Sequence, residues 1–287
     1  MARDGSRAPS YSSSVLMIER IDDPADPRVV DYRDLRDAEL RRRQGLFIAE
    51  SREVVRRLLV EGRFRTRSVL LTLPGLDGLR DVLETTAKEI PILLTTPEIV
   101  RALAGFNFHR GCLAIGERGV EPSLHGVLER PGPRLLLALE DVTNPDNIGG
   151  LFRNAMAFGV GGVLLSAGCG DPLYRKAIRV AIGGSLSIPF ARVEDWPHAL
   201  TRLRESGYAV IALTPDATAA DIAELGVTRL VPERAALLLG AEGVGLTAAS
   251  RRAADLEVRI RMAPGVDSLN VATACGIALH RLRGSAR

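Results

Sequence analysis

The sequence predicts an α/β protein with a parallel sheet in its second half. Short apolar runs alternate there with helical patterns, which is typical of a parallel sheet covered by helices. Three of these runs end in loops rich in Gly, Asn and Ser, at the position where open α/β sheets usually bind small molecules. The composition, 46% hydrophobic and 25% charged, is that of a soluble globular protein.

Residues 1–18 carry Ser, Arg and Pro without an apolar pattern, so we predict a disordered tail. The tail lacks the apolar core of a signal peptide, and no apolar run approaches the ~20 residues that span a bilayer. Cys112, Cys169 and Cys275 are far apart, which argues against a disulfide framework and against a zinc site. We therefore expect a cytoplasmic protein that binds neither a membrane nor a metal.

A first compact unit is predicted over residues 19–117. Its predicted strands are 46–49, 68–72, 91–96 and 112–116, and its predicted helices are 34–43, 53–61, 79–88 and 98–103. From Arg33 to Arg67, eleven arginines face six acids. Such a surplus fits phosphate groups, and it fits an ordinary solvated helical face equally well.

A linker is predicted over residues 118–133, where charge, proline and glycine replace the apolar pattern. The alternation of strands and helices then restarts more strongly over residues 134–287. The predicted strands of this second unit are 135–142, 161–166, 187–193, 208–214, 235–240 and 256–260. A parallel sheet would place the functional residues of this unit in the loops at its strand ends.

Three of these loops are unusual. NPDNIGGLFRNA has a polar turn leading into a helix that begins near Ile148 and carries Arg153 about two turns in. LLLGAEGVGL carries Glu242 among closely spaced glycines, which let a ligand approach the backbone. MAPGVDSLNVATA places Ser268 and Asn270 at the start of the last helix, from about residue 271 to 283. Each loop alone fits a cap or a turn, but the three together make a better ligand site.

In this order and near this spacing, the three loops resemble the signature motifs of the SpoU (TrmH-type) RNA 2'-O-ribose methyltransferases of the SPOUT superfamily. NPDNIGGLFRNA resembles the first motif, LLLGAEGVGL the second and IRMAPGVDSLNVATA the third. The first unit is more loosely similar to the family's L30e-type substrate-binding domain, through GLFIAESREVVRRLL and FHRGCLAIG.

The resemblance implies a fold and an assembly that periodicity cannot reveal. The implied fold is a C-terminal SPOUT domain with a parallel sheet and a deep trefoil knot in the backbone, preceded by a small L30e-like α/β domain that binds the RNA substrate. The implied assembly is an obligate homodimer with S-adenosylmethionine bound in the knot near the interface. The positions matched to cofactor contacts are Thr214, Gly240, Gly243, Ile260, Met262 and Leu269.

The implied reaction is methyl transfer from S-adenosylmethionine to a ribose 2'-hydroxyl in ribosomal or transfer RNA. The cofactor's charge already activates the methyl group, so the protein mainly aligns the reactants and helps the hydroxyl proton to leave. Arg153 matches the family's catalytic arginine, which has been proposed as the base; a guanidinium normally stays protonated, and a phosphate or alkoxide contact fits as well. The positions matched to orienting roles are Asn147, Glu242, Ser268 and Asn270.

The sequence departs from the family pattern at four places. Asn144 stands where the first motif usually opens with an acid, and Ala272 replaces the serine that commonly follows Asn-Val in the third motif. In the first unit, Ser51 replaces a glycine, and the usual His-Gln-Gly reads His-Arg-Gly at 109–111. None of these four differences removes a group that is proposed to be essential for the reaction. They therefore affect the prediction of the RNA substrate more than the prediction of the reaction type.

Two other functions compete with this one. A Rossmann-type nucleotide-dependent oxidoreductase also combines strands with glycine loops, but the first loop here lacks the G-x-G-x-x-G fingerprint. A dimeric RNA-binding module with degenerate catalysis is the alternative that is not an enzyme, and the intact matched residues argue against it. Calorimetry distinguishes the two enzyme classes, because one requires S-adenosylmethionine and the other a dinucleotide.

Overall fold

The computed structural model describes residues 16–33, 44–86, 89–104, 111–129, 135–225 and 232–284. Within these ranges the strands are β1 (Ile18–Arg20), β2 (Leu46–Glu50), β3 (Thr66–Leu71), β4 (Ile92–Leu94), β5 (Cys112–Glu117), β6 (Leu135–Glu140), β7 (Val163–Ser166), β8 (Phe190–Val193), β9 (Ala209–Leu213), β10 (Ala220–Asp221), β11 (Ala235–Gly240) and β12 (Leu256–Arg259). The α-helices are α1 (Arg52–Glu61), α2 (Leu73–Asp77), α3 (Arg80–Thr86), α4 (Pro97–Ala104), α5 (Leu124–Leu128), α6 (Pro145–Phe158), α7 (Arg175–Val180), α8 (Gly184–Ser187), α9 (Trp196–Glu205), α10 (Ala248–Ala253) and α11 (Val271–Gly284). Short 3-10 helices cover Pro27–Tyr32 and Ile222–Glu224. None of the helices described is long and apolar enough to cross a membrane.

The described strands form two sheets, one in each half of the chain. The first sheet has the order β1-β4-β3-β5-β2, with β1, β4 and β3 parallel and with β5 antiparallel to both of its neighbours. The second has the order β10-β12-β9-β11-β6-β7-β8, and every neighbouring pair in it is parallel. The predicted α/β class and the parallel sheet of the second half are therefore confirmed.

The centre of the second sheet explains where a site can form. The side chains of β6 are all buried, and those of β11 are buried up to Leu239, as expected for strands covered on both faces. The two strands run in register, so Gly240 lies opposite Glu140 at their carboxyl ends. Because all strands are parallel, the loops after β6, β9, β11 and β12 leave from the same edge of the sheet.

Two predicted boundaries are displaced by three residues, each for a local reason. The strand predicted over 187–193 begins at Phe190, because Pro189 has no N–H for the ladder and Ser187 ends α8. The helix predicted to begin near Ile148 begins at Pro145, where proline is favoured in the first turn. Its N-cap is Asn144, whose side-chain oxygen accepts a hydrogen bond from the Asp146 amide at 2.8 Å.

The remaining predictions concern the linker, the N-terminal tail and positions outside the described residues. The predicted linker contains α5, which Ser123 caps and whose buried Val127 joins an apolar cluster of the second half. Strand β1 begins at Ile18, the last residue of the predicted tail. The helix predicted over 34–43, the tail up to residue 15 and positions 109–110 lie outside the described residues.

Polar contacts join the two halves of the chain along a surface that we call the seam. On one side lie Glu50 at the end of β2 and the helix α1; on the other lie α7 and α8. The buried Glu50 carboxylate pairs with Arg175 at 2.8 Å. Arg57 donates to the carbonyl of Ile182 at 3.2 Å, and Ser187 donates to Glu61 at 2.9 Å.

Arg63 contacts residues on both sides of the seam. Its Nη1 donates to the carbonyls of Ser185 at 3.1 Å and Ile188 at 2.6 Å. Its guanidinium carbon lies 4.7 Å from the ring centre of Phe64 and 4.9 Å from that of Phe190, within the range of cation–π attraction. One side chain of the first half therefore engages the backbone and an aromatic ring of the second.

Candidate functional site

A cavity of about 860 Å³ opens at the carboxyl ends of β9, β11 and β12. Its walls come from the loops that follow these strands and from the start of α11. All six residues matched to cofactor contacts line it: Thr214, Gly240, Gly243, Ile260, Met262 and Leu269. The second and third sequence loops therefore meet in one cavity, as the parallel sheet requires.

The loop over residues 241–246, which we call the cofactor loop, folds tightly back on its own entrance. The Gly245 amide donates to the Ala241 carbonyl at 3.0 Å, and the two residues form an isolated antiparallel bridge. Gly243 and Gly245 have φ values of +85° and +69°, a region that favours glycine. A Cβ on Gly240 would lie 2.3 Å from the carbonyl carbon of Gly245. The turn therefore requires glycine at its entrance as well as within it.

Asn270 connects residues from all three sequence loops. Its Nδ2 donates to Asn147 Oδ1 at 2.8 Å and to Glu242 Oε1 at 2.9 Å, which uses both protons of the amide. Its Oδ1 accepts from the amides of Ala272 and Thr273 and so caps α11. Asn147 is buried, whereas Glu242 and Asn270 face the cavity. The predicted cluster of Asn147, Glu242 and Asn270 thus exists as one hydrogen-bonded network.

Arg153 and Ser268 occupy different places from this network. Ser268 lines the cavity and is exposed. Arg153 lies on the exposed side of α6, outside the lining of the cavity, and its guanidinium has no hydrogen-bond or ion-pair partner within the ranges that the structure describes. Among the described residues, the hydrogen-bond partner of Glu242 is Asn270, and Glu242 forms no ion pair with Arg153.

The cavity wall carries more negative than positive charge. Asp216, Glu242 and Asp267 line it together with one basic residue, Arg251. The Arg251 guanidinium is itself held by Asp216 at 2.8 Å and by Glu257 at 2.6 Å. Hydrogen bonds from the hydroxyl and amide of Thr218, together with Arg251, hold the pKa of Asp216 well below its usual range. Such an acidic wall favours a ligand with positive charge over one that carries phosphates.

Sequence reasoning missed Asp216, Arg251 and Glu140. Asp216 lies two residues beyond Thr214 at the same strand end, so its position was a usable signal. Arg251 is on α10, and nothing local to that helix indicates that it reaches Asp216. Glu140 closes an otherwise apolar strand, LLLALE, and a carboxylate in such a run was a signal as well. Within the described residues, no group of His, Cys, Asp and Glu is arranged to hold a metal ion.

Comparison with known proteins places this site in a family. Residues 134–280 match the model of the SpoU rRNA methylase family, and this segment contains all three loops and the second sheet. The chain belongs to the SpoU rRNA methylase family. The resemblance of the three motifs is therefore confirmed, and the protein is an RNA methyltransferase of the SpoU family.

Relatives and solved structures extend the likeness to the first half of the chain. A protein named as an uncharacterized tRNA/rRNA methyltransferase of Mycobacterium tuberculosis is 41% identical over 92% of this chain and 91% of its own length. The 23S rRNA (guanosine-2'-O-)-methyltransferase RlmB of Vibrio cholerae is 35% identical over 55% of this chain and 62% of its own. The AdoMet-bound rRNA methyltransferase from Sinorhizobium meliloti superposes with a TM-score of 0.77 at 24% identity, over 93% of this chain and 98% of that one. At that identity the superposition shows the shared fold.

Proposed function

We propose that this SpoU family member transfers a methyl group from S-adenosylmethionine to a ribose 2'-hydroxyl in ribosomal or transfer RNA. The observation that carries the proposal is the acidic cavity, where all six residues matched to cofactor contacts converge. The V. cholerae relative is named for guanosine 2'-O-methylation of 23S rRNA, and the S. meliloti structure is described as AdoMet-bound. Both names support the proposal, and the cavity wall supports it independently, since S-adenosylmethionine carries a cationic sulfonium.

The residues of the cavity have distinct proposed roles. When bound, S-adenosylmethionine supplies an already activated methyl group, so binding and alignment are the main tasks of the protein. Gly240, where the cofactor loop begins, and Gly243 within the loop carry no side chains, so a ligand can approach the backbone closely there. Asp216 and Glu242 place negative charge on the wall of the cavity, and the rigid Asn270 amide holds Glu242 in position.

Arg153 is proposed to act on the ribose 2'-hydroxyl or on the groups next to it. Its guanidinium is exposed and is not used in any contact with the described residues, so it is available to a phosphate, to a forming alkoxide or to the departing proton. Because Arg153 lies outside the cavity of its own chain, RNA or a second copy must bring the reactants to it. Ser268, at the cavity wall, is proposed to contact the ribose or the cofactor.

We propose a homodimer in the cytoplasm as the working form. Exposed apolar side chains in the loop before α11 and on α11 itself support an association surface, because Val266 is 49%, Leu269 37% and Ile277 41% exposed. Analytical ultracentrifugation of the full chain tests this proposal. A monomer at micromolar concentration would contradict it.

The domain division and the knot are also proposed. Residues 19–117 would form an L30e-like domain that binds RNA, residues 118–133 a linker and residues 134–287 the SPOUT domain. The strand order supports a trefoil knot in the segment after β11, since β11 and β12 flank β9 on opposite sides while α11 returns to pack on α6. The two separate sheets support the division into domains.

Calorimetry followed by a transfer assay tests the proposed function. Purified protein should bind S-adenosylmethionine at micromolar concentration and should not bind a nicotinamide dinucleotide, whose phosphates meet the acidic wall. With methyl-labelled cofactor, label should enter total ribosomal or transfer RNA at a site that resists alkaline hydrolysis, as 2'-O-methylated ribose does. Dinucleotide preference would revive the oxidoreductase hypothesis. Tight RNA binding without transfer would favour the RNA-binding module.

A further inference from the structure

Glu140 is a buried carboxylate at the carboxyl end of β6, beside the entrance of the cofactor loop. It is 4% exposed, and its Cα lies opposite that of Gly240 in the parallel ladder. Its Oε2 accepts from the Thr247 amide at 3.0 Å. Its Oε1 accepts from the Thr247 hydroxyl at 2.8 Å and from the Ser250 hydroxyl at 2.7 Å. All of its hydrogen-bond donors within the described ranges are neutral.

The positions of these donors give Glu140 a specific geometry. Its backbone lies beside Gly240, where the cofactor loop begins, while its side chain holds Thr247, directly after the loop ends. The Thr247 hydroxyl also accepts from the Ser250 amide at 3.2 Å and so caps α10. One residue of the central strand therefore connects both ends of the cofactor loop and fixes the start of the next helix.

A carboxylate in this place is costly unless its hydrogen bonds are retained. Burial disfavours a charged group, and here three neutral donors offset that cost instead of a cation. The loop that it closes contains Gly243 and Gly245, and an unrestrained loop with two glycines can adopt unusually many backbone conformations. Holding such a loop in one conformation before a ligand arrives removes an entropic cost from binding.

We propose that Glu140 is a positioning residue that clamps the cofactor loop and thereby presets the cavity for its ligand. The proposal rests on the proposed function, because it takes that ligand to be S-adenosylmethionine. Glu140 does not line the cavity, so it acts through Thr247 and the loop, which presents the Glu242 carboxylate to Asn270.

The test compares Glu140→Leu and Glu140→Gln with the unchanged protein. Hydrogen exchange on the ligand-free chain should show residues 241–250 exchanging about tenfold faster in the leucine variant, while β6 and β7 keep their protection. Calorimetry should show S-adenosylmethionine binding weakened at least about tenfold, because a misplaced loop of even ~1 Å is costly. Glutamine keeps one acceptor oxygen, so its effects should be intermediate. In turnover, KM for the cofactor should rise while KM for RNA stays constant.

The neighbouring Asp141 supplies the matched control. Its carboxylate accepts from the Ser166 hydroxyl at 2.7 Å, on the side of β7 and away from the cofactor loop. Asp141→Asn should therefore leave loop exchange and cofactor affinity within about twofold of the unchanged protein, and asparagine tolerates the φ of +53° at this position. Ser250→Ala removes only one donor and should produce a smaller change of the same kind, which keeps the proposal testable if Glu140→Leu does not fold.

The outcomes separate this proposal from the proposed function. Faster exchange limited to residues 241–250, with weakened binding, supports the clamp. Cofactor affinity in Glu140→Leu equal to that in Asp141→Asn overturns it, and so does an exchange increase spread over the whole second sheet. If the unchanged protein does not bind S-adenosylmethionine, the proposed function fails, and the hydrogen-exchange comparison still decides whether Glu140 holds the loop.

Discussion

The cavity and the seam both include residues of the second unit, but different residues of that unit face the two surfaces. At the cavity, Gly240, Gly243 and Gly245 expose backbone in the wall, and the Asn270 amide connects the three sequence loops. At the seam, buried Glu50 meets Arg175, and Arg63 lies between two aromatic rings while it binds two carbonyls. The cavity leaves backbone accessible in its wall, whereas the seam is filled by the protein's own side chains.

This difference bears on the arginine surplus of the first unit. The sequence left two uses for it open, a phosphate footprint and a solvated face. In the described part of that stretch, several arginines have partners within the chain: Arg56 with Asp81, Arg57 and Arg63 with carbonyls of the second unit, Arg65 with Glu117 and Arg67 with Asp31. The two that cross the seam fix the first unit against the second, so their contribution is structural.

The largest effect is expected for Arg153→Ala, which tests whether a residue outside the cavity takes part in catalysis. Arg153→Ala should lower kcat/KM for methyl transfer by about 100-fold or more, because a charged group acting on the transition state is removed. Affinity for S-adenosylmethionine should stay within about threefold, since Arg153 does not line the cavity. Arg202→Ala, at an exposed arginine on α9 paired with Glu205, is the matched control. Unchanged turnover in Arg153→Ala would refute the assignment.

At the seam, Arg63→Ala should lower the free energy of unfolding by about 2–3 kcal/mol. It removes two hydrogen bonds to carbonyls and the stacking between Phe64 and Phe190. Chemical denaturation measures this loss, and cofactor affinity should not change. Arg65→Ala is the control, because Arg65 is 80% exposed and its ion pair should contribute less than about 1 kcal/mol. Equal losses in the two variants would contradict the seam's structural role.

Within the cavity, Gly240→Ala should weaken S-adenosylmethionine binding about tenfold and cost about 1–3 kcal/mol of stability. Its Cβ would lie 2.3 Å from the backbone of Gly245, so the cofactor loop would have to shift. Calorimetry and thermal unfolding measure the two effects. Gly126→Ala in α5 is the control, since its Cβ would find its nearest neighbour at 3.6 Å. Binding as tight as in the unchanged protein would show that the loop accommodates a side chain.

The smallest expected effect concerns Ser51, which opens α1 beside the seam. Its φ of +95° and ψ of +157° belong to a region that glycine adopts easily and serine does not. Ser51→Gly should therefore raise the free energy of unfolding by about 1 kcal/mol, while the lost cap, a 3.5 Å contact to the Val54 amide, offsets only a few tenths. Denaturant titration measures the change. Ser51→Ala keeps the strained backbone and loses the cap, so it should destabilise the protein.

The sequence by itself determined the alternation of strands and helices, the parallel second sheet and the three loops that place the chain in its family. These features are local, since a buried strand such as β11 and a glycine turn such as 243–245 are written in consecutive residues. Asn270 could likewise be recognised in advance as a helix cap, because the amides that donate to its side chain, from Ala272 and Thr273, are close in the sequence.

Only the tertiary structure decided which residues act together. Glu140 and Thr247 are more than one hundred residues apart, and their contact exists because β6 and β11 are neighbours in the sheet. The same holds for Arg63 at the seam and for Asn147 beside Asn270. Arg153 shows the converse, since a motif match could not reveal that it lies outside the cavity of its own chain. The periodic pattern of consecutive residues does not specify which strands become neighbours in a sheet. Which residues form the site is therefore decided by the folded chain.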